Sequence, residues 1–110
     1  MTTTEEVKGM RIPKDRAPTS PGEMLLEEFL KPLGMTQAEL AERIRVPYVR
    51  VNELVNAKRR VTPSTALRLA KVFGTTPDFW LNGQLALDLY RTINDEKELA
   101  ELEQIEPILH

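Results

Sequence analysis

Apolar residues recur at three- and four-residue intervals in five separate stretches of the chain, each bracketed by residues that start or stop helices. Ser20-Pro21-Gly22-Glu23 has the spacing of a capping box with proline at the first helical position. Leu26, Phe29, Leu30 and Leu33 follow at helical intervals before Gly34. Thr36-Gln37-Ala38-Glu39 repeats the capping pattern ahead of Leu40, Ala41 and Ile44. Pro47 pre-sets a third start, and Val51, Leu54 and Val55 mark its buried stripe. Thr62-Pro63 opens a fourth helix with Ala66, Leu69, Ala70 and Phe73 inward and Gly74 as the stop. Thr76-Pro77-Asp78 begins a fifth, carried on through Leu85, Leu89 and Ile93, with an interruption expected at Gly83. Phe79 and Trp80, at helical spacing in a chain poor in aromatics, read as core or as a seam between copies.

Outside these stretches the pattern fades. Residues 1–19 are rich in Thr, Pro and charge without an apolar period and read as a flexible arm. Beyond Asn94 the acidic run from Asp95 to Glu106 has only the thin stripe Leu99, Leu102, Ile105, which suits either a short helix or a frayed, solvated terminus. The expected division is an arm at 1–19, a helical domain at 20–93 and an acidic extension at 94–110. No β-alternation of useful length and no internal repeat interrupts this picture, so the expected class is all-α.

Composition narrows the chemistry. The 110 residues suffice for one modest core. No run approaches the roughly 18 apolar residues of a membrane span, and Glu5, Glu6 and Lys8 stand where a signal peptide needs an apolar stretch, so a cytoplasmic protein without a membrane partner is expected. There is no cysteine, and the one histidine is His110, which removes thiol nucleophiles, His triads and thiolate metal sites. Glu27 and Glu28 are adjacent rather than facing, which suits solvent and not acid–base work. No catalytic residue, metal or cofactor is expected, and the chain reads as a non-enzyme.

Charge is distributed unevenly. From Arg43 to Lys71 eight basic residues face Glu53 alone, a net +7, whereas residues 1–42 carry −3 and residues 76–110 carry −6. A polyanionic partner for the middle of the chain is one reading of this band, and a solvated basic face is the other.

The second and third stretches, separated by a break of about three residues, have the layout of a helix-turn-helix, in which the second helix enters the major groove of DNA. Steps of 100° opposite Val51, Leu54 and Val55 expose Val49, Asn52, Glu53 and Asn56, with Tyr48 and Arg50 at the edges. Asn52 can read an adenine edge, Glu53 can accept from a cytosine amino group, and Val49 or the Tyr48 ring can meet a thymine methyl. Glu53 can equally pair with Arg50 or Lys58. Gln37, Arg50, Asn56, Lys58, Arg59 and Arg60 suit phosphate contacts on either side.

At these residues the chain resembles a known family. Thr36-Gln37-Ala38-Glu39-Leu40-Ala41 looks like the second helix of the lambda-repressor-like (Xre) superfamily. The run Pro47 to Asn56, with Lys58-Arg59, Thr62-Pro63, Thr65 to Ala70 and Phe79-Trp80-Leu81-Asn82, is similar to HigA-type antitoxins. The similarity spans Pro18 to about Tyr90. It implies a five-helix lambda-repressor-like DNA-binding domain followed by a C-terminal extension. It also implies a homodimer that binds double-stranded operator DNA, represses its own operon and neutralises a HigB-like mRNA-cleaving toxin. A stand-alone Xre-type repressor without a toxin is the alternative. The chain departs from the family pattern at Arg45 and Ala57, where relatives often carry glycine. A left-handed turn would cost Arg45 roughly 1 kcal/mol, so a differently shaped turn is expected there.

Overall fold

A computed structural model of the chain describes residues 6–7, 10–11 and 16–109. Six helices follow one another: α1 (residues 21–33), α2 (Gln37–Ile44), α3 (Tyr48–Val55), α4 (Pro63–Phe73), α5 (Pro77–Ile93) and α6 (Glu96–Glu103). Ahead of them β1 (Glu6–Val7) pairs antiparallel with β2 (Met10–Arg11), in the register Glu6↔Arg11 and Val7↔Met10. Hydrophobic period does not register strands of two residues, so the sequence assigned none there. The rest of the stretch read as an arm up to Asp15 lies outside the described residues. Among the described residues the fold is all-helical apart from this pair, with five helices in the domain and a sixth in the extension. No helix among the described residues is long and apolar enough to cross a membrane.

The chain divides into two compact units. The larger, Thr19–Leu85, holds α1 to α4 and the N-terminal half of α5. Its interior is built from Leu25 and Leu30 of α1, Leu40 and Ile44 of α2, Val51 and Leu54 of α3, Ala66 and Leu69 of α4, and Trp80 of α5. The Trp80 ring lies 5.1 Å from Phe29 and 5.0 Å from Phe79, edge-on to the latter, and its indole N–H donates to Thr75 Oγ1 at 2.8 Å. Burial of that large ring is therefore not at the expense of its one donor. Trp80 is core, whereas Phe79 is 42% exposed. The Gln84 side-chain oxygen accepts from the buried Val61 N–H at 2.9 Å, fixing the loop between α3 and α4 to α5.

In the smaller unit, the described residues of Met1–Pro18 and Ala86–His110, α6 is capped by Asp95. The Asp95 carboxylate accepts from the Lys97 and Glu98 N–H groups at 3.0 and 3.3 Å. That N-cap decides between the two readings of the acidic segment in favour of a helix. Gly83 does not interrupt α5, which is continuous from Pro77 to Ile93. The roughly 1 kcal/mol that a helical glycine costs is outweighed by burial of Trp80, Gln84 and Leu87 on the same helix.

α1 departs from its sequence pattern. It consists of an α turn Pro21–Met24, a π-helical segment Leu25–Leu30 and an α turn Lys31–Leu33. Pro32 lacks an N–H, and its ring would strike the carbonyl one turn earlier in a regular α-helix. The wider π turn relieves that crowding. It also carries the following residues round the axis, so Leu30 is buried five positions after Leu25 while Leu33, expected inward, is 61% exposed.

Three helices in succession end with the same hydrogen-bond pattern. Met35, Val46 and Lys58 each donate a backbone N–H to the carbonyl five residues back, at 2.9, 3.0 and 2.8 Å. Their predecessors Gly34, Arg45 and Ala57 donate to the carbonyl three back and have φ of 64°, 64° and 59°. These are Schellman turns, which require a left-handed residue. Only the first has the glycine that adopts it freely.

Gly22 is required for a different reason: a Cβ there would stand 1.8 Å from the Leu54 carbonyl oxygen of α3. Gly22→Ala adds about 1 kcal/mol of helix propensity but forces α1 and α3 apart, an overpacking that costs about 1–3 kcal/mol or more. The clash dominates, and calorimetry is expected to show a melting temperature several degrees lower. A melting temperature at or above that of the parent would contradict the close approach. Ala57→Gly is expected to act the other way, raising stability by about 0.5–1 kcal/mol as the left-handed strain is removed.

Candidate nucleic-acid interface

α2 begins with a complete capping box. Thr36 Oγ1 accepts from the Glu39 N–H at 3.0 Å, and Glu39 Oε1 accepts from the Thr36 N–H at 2.8 Å. Its buried face, Leu40, Ala41 and Ile44, packs against α3 through Val51 and Leu54. The three-residue connection Arg45-Val46-Pro47 sets the angle between them.

Arg45 sits at φ 64°, ψ 48°, so the turn keeps the left-handed shape instead of the altered one expected from its side chain. The physical reason lies in α4. Arg68 Nη1 donates to the Ile44 carbonyl at 2.7 Å and to the Arg45 carbonyl at 3.4 Å, while Nε reaches Ser64 Oγ at 3.3 Å. A hydrogen bond from a charged donor is worth about 1.5–3 kcal/mol, against about 1–2 kcal/mol for left-handed backbone at a non-glycine residue. The cation also sits at the negative end of the α2 dipole. Arg68 was counted in the sequence only as part of the basic band. A partner 24 positions away leaves no local signal.

The outward face of α3 carries the residues singled out from the sequence. Tyr48 and Val49 are 54% and 57% exposed, and Asn52 and Glu53 are half-buried on the same side. Asn52 Nδ2 donates to Gln37 Oε1 at 3.0 Å, a bond between α3 and the first residue of α2. Base-reading and phosphate roles had been assigned to these two separately, and the structure joins them. The bond uses one of the two Nδ2 hydrogens and leaves Oδ1 outside it, so the amide edge is oriented without being consumed.

Two further residues turn toward the protein. Asn56 Nδ2 donates to the Asn52 carbonyl at 2.8 Å, closing the last turn of α3. Glu53 Oε1 accepts from Arg59 Nε at 3.0 Å, so the acidic residue inside the basic band pairs with Arg59 and not with Arg50 or Lys58. Both partners are over a third exposed, and such a pair contributes less than about 1 kcal/mol. Its effect is electrostatic: it cancels the one negative charge on this face. Arg50 is half-buried, and Lys58, Arg59 and Arg60 are exposed along the loop after α3.

Two helices held by a short left-handed turn, with a polar outer row on the second and cations beside it, define a DNA-binding helix-turn-helix protein. The family HTH_3, helix-turn-helix, matches residues 26–80. The chain belongs to this family, in its Xre-type branch that includes the HigA antitoxins, a non-enzymatic class. It is 47% identical over 93 residues to the uncharacterised HTH-type transcriptional regulator YbaQ of Escherichia coli K12, covering 84% of this chain and 82% of that one. It is 46% identical over 85 residues to antitoxin HigA-1 of Vibrio cholerae, covering 77% and 80%. Among solved structures, the Pseudomonas aeruginosa antitoxin HigA with its higBA promoter superposes with a TM-score of 0.76 at 34% identity, covering 84% and 99%.

Arg68→Ala removes the clamp on the turn and is expected to lower stability by about 1–2 kcal/mol, read by urea unfolding. Arg45→Gly in the same background is expected to recover part of that loss, because glycine holds the left-handed turn unaided. No recovery would mean that Arg68 stabilises through something other than the turn.

Proposed function

We propose that this chain is a HigA-type antitoxin that binds double-stranded operator DNA as a homodimer, represses its own operon and neutralises a HigB-like mRNA-cleaving toxin. The observation that carries the DNA half is the oriented amide of Asn52, held by Gln37 on the outer face of α3. Its second Nδ2 hydrogen and its Oδ1 match the N7 acceptor and N6 donor of adenine. Val49 and Tyr48 beside it supply apolar contact for a thymine methyl. Glu53 accepts from a cytosine amino group once it leaves Arg59. Gln37, Arg50, Asn56, Lys58, Arg59 and Arg60 hold phosphates on both sides of the groove. Two copies would read half-sites about 34 Å apart.

The toxin half is supported by likeness to the HigA antitoxins. A stand-alone repressor is the second reading, favoured by the 47% identity to a protein described only as a transcriptional regulator. The two separate on one test: the reading frame beside this gene is expressed in bacteria with and without this protein from a second promoter. Growth arrest relieved by this protein supports the antitoxin. Growth without arrest, or arrest left unrelieved, selects the stand-alone repressor.

On selected operator DNA, Asn52→Ala is expected to lose about 1–3 kcal/mol of discrimination at one base position. Lys58→Ala is expected to weaken all sequences alike and to reduce the slope of log affinity against log salt by about one. With about five phosphates neutralised per copy, the parent slope should be near −4 to −5 for one copy and about twice that for two. Unchanged affinity, discrimination and slope in both variants would remove α3 as the docking face.

A further inference from the structure

A concave surface lies outside the residues assigned to DNA. Between the C-terminal end of α2 and the outer side of α4 runs an open groove of about 730 Å³. Its wall carries Arg43, Arg45, Arg68 and Lys71, and its lining includes Leu67 and Val72. Leu67 is 59% exposed, an apolar side chain left uncovered among four cations. Duplex phosphates would match the charge but offer nothing apolar to cover Leu67. The complementary ligand is an acidic segment with apolar side chains three or four positions apart.

The chain carries such a segment itself. Residues 95–109 contain Asp95, Glu96, Glu98, Glu101, Glu103 and Glu106 against Lys97 alone. Leu102 and Ile105 on one stripe are 41% and 67% exposed, followed by Ile108 and Leu109 at 92% and 86%. An exposed apolar stripe flanked by carboxylates is the counterpart of an exposed leucine flanked by guanidinium and ammonium groups.

We propose that this groove docks the acidic C-terminal segment, residues 95–109, of a second copy of this chain. Reciprocal exchange between two copies fills both grooves and closes the assembly as a two-fold dimer instead of a filament. The inference does not depend on which DNA is bound or on whether a toxin exists.

The absence of cysteine makes cross-linking a clean test. Full-length Leu67→Cys and Ile105→Cys chains are mixed under mild oxidation, with Leu33→Cys, equally exposed on α1, replacing Leu67→Cys as the control. About tenfold more heterodimer from the Leu67/Ile105 pair than from the control is expected, reflecting the raised local concentration of a docked segment. Adding Arg43→Glu and Lys71→Glu to the groove should abolish that excess, and Glu98→Lys with Glu101→Lys in the other chain should restore it. Yield equal to the control, or reversal without restoration, overturns the proposal. So does a chain bearing both cysteines that cross-links only within itself at the concentration used for the mixed chains. A groove reversal that leaves cross-linking intact but lowers the salt slope of DNA binding would assign the cations to phosphate and likewise overturn it.

Discussion

The left-handed turn at Arg45 is the constraint on which the surface proposed to face DNA depends. A recognition helix reads bases only if it is held at a fixed angle to the helix before it, and that angle is set within three residues. Here the residue at the turn is one whose side chain disfavours the required conformation. The backbone is held by the Schellman hydrogen bonds from Arg45 and Val46 and by the guanidinium of Arg68, which reaches across from α4. The two helices are thereby referenced to a third. Gln37–Asn52 then ties the first residue of α2 to the middle of α3 on the outer side.

A second constraint acts from the opposite side. α1 approaches α3 closely enough that only glycine fits at position 22, so the backbone of α3 is itself a packing surface. The π-helical segment of α1 lets Pro32 remain in the helix while Leu25 and Leu30 still reach the core. α3 is thus backed by α1 and braced by α2, with its outer row left to carry polar residues. Rigid support of this kind preorganises the row, and preorganisation reduces the ordering cost of binding.

The basic band divides by role once its partners are seen. Arg68 serves the turn, Arg59 balances Glu53, and Arg43, Arg45 and Lys71 border a groove with an apolar floor. Lys58 stands exposed on the loop directly after α3. A count of charges along the sequence therefore overstates the number available to phosphate.

How much of this was legible in the sequence follows from the range of each interaction. Helix starts at Ser20, Thr36, Thr62 and Thr76, the stops at Gly34 and Gly74, and the outward row of α3 are governed by neighbours within four residues, so period and capping revealed them. Three features escaped for the same physical reason in reverse. The π segment of α1 is a local answer to Pro32 that a 3.6-residue period cannot represent, and it turned Leu33 out of the core. The left-handed Arg45 looked unfavourable because its compensation comes from Arg68, 23 positions on. The Gln37–Asn52 and Glu53–Arg59 pairings depend on where whole helices and loops come to rest. The sequence by itself determined the class, the five-helix order and the face of α3 that is polar. Only the tertiary structure decided which of those polar groups point to solvent and which serve the protein, because that choice is made by contacts between elements and not within them.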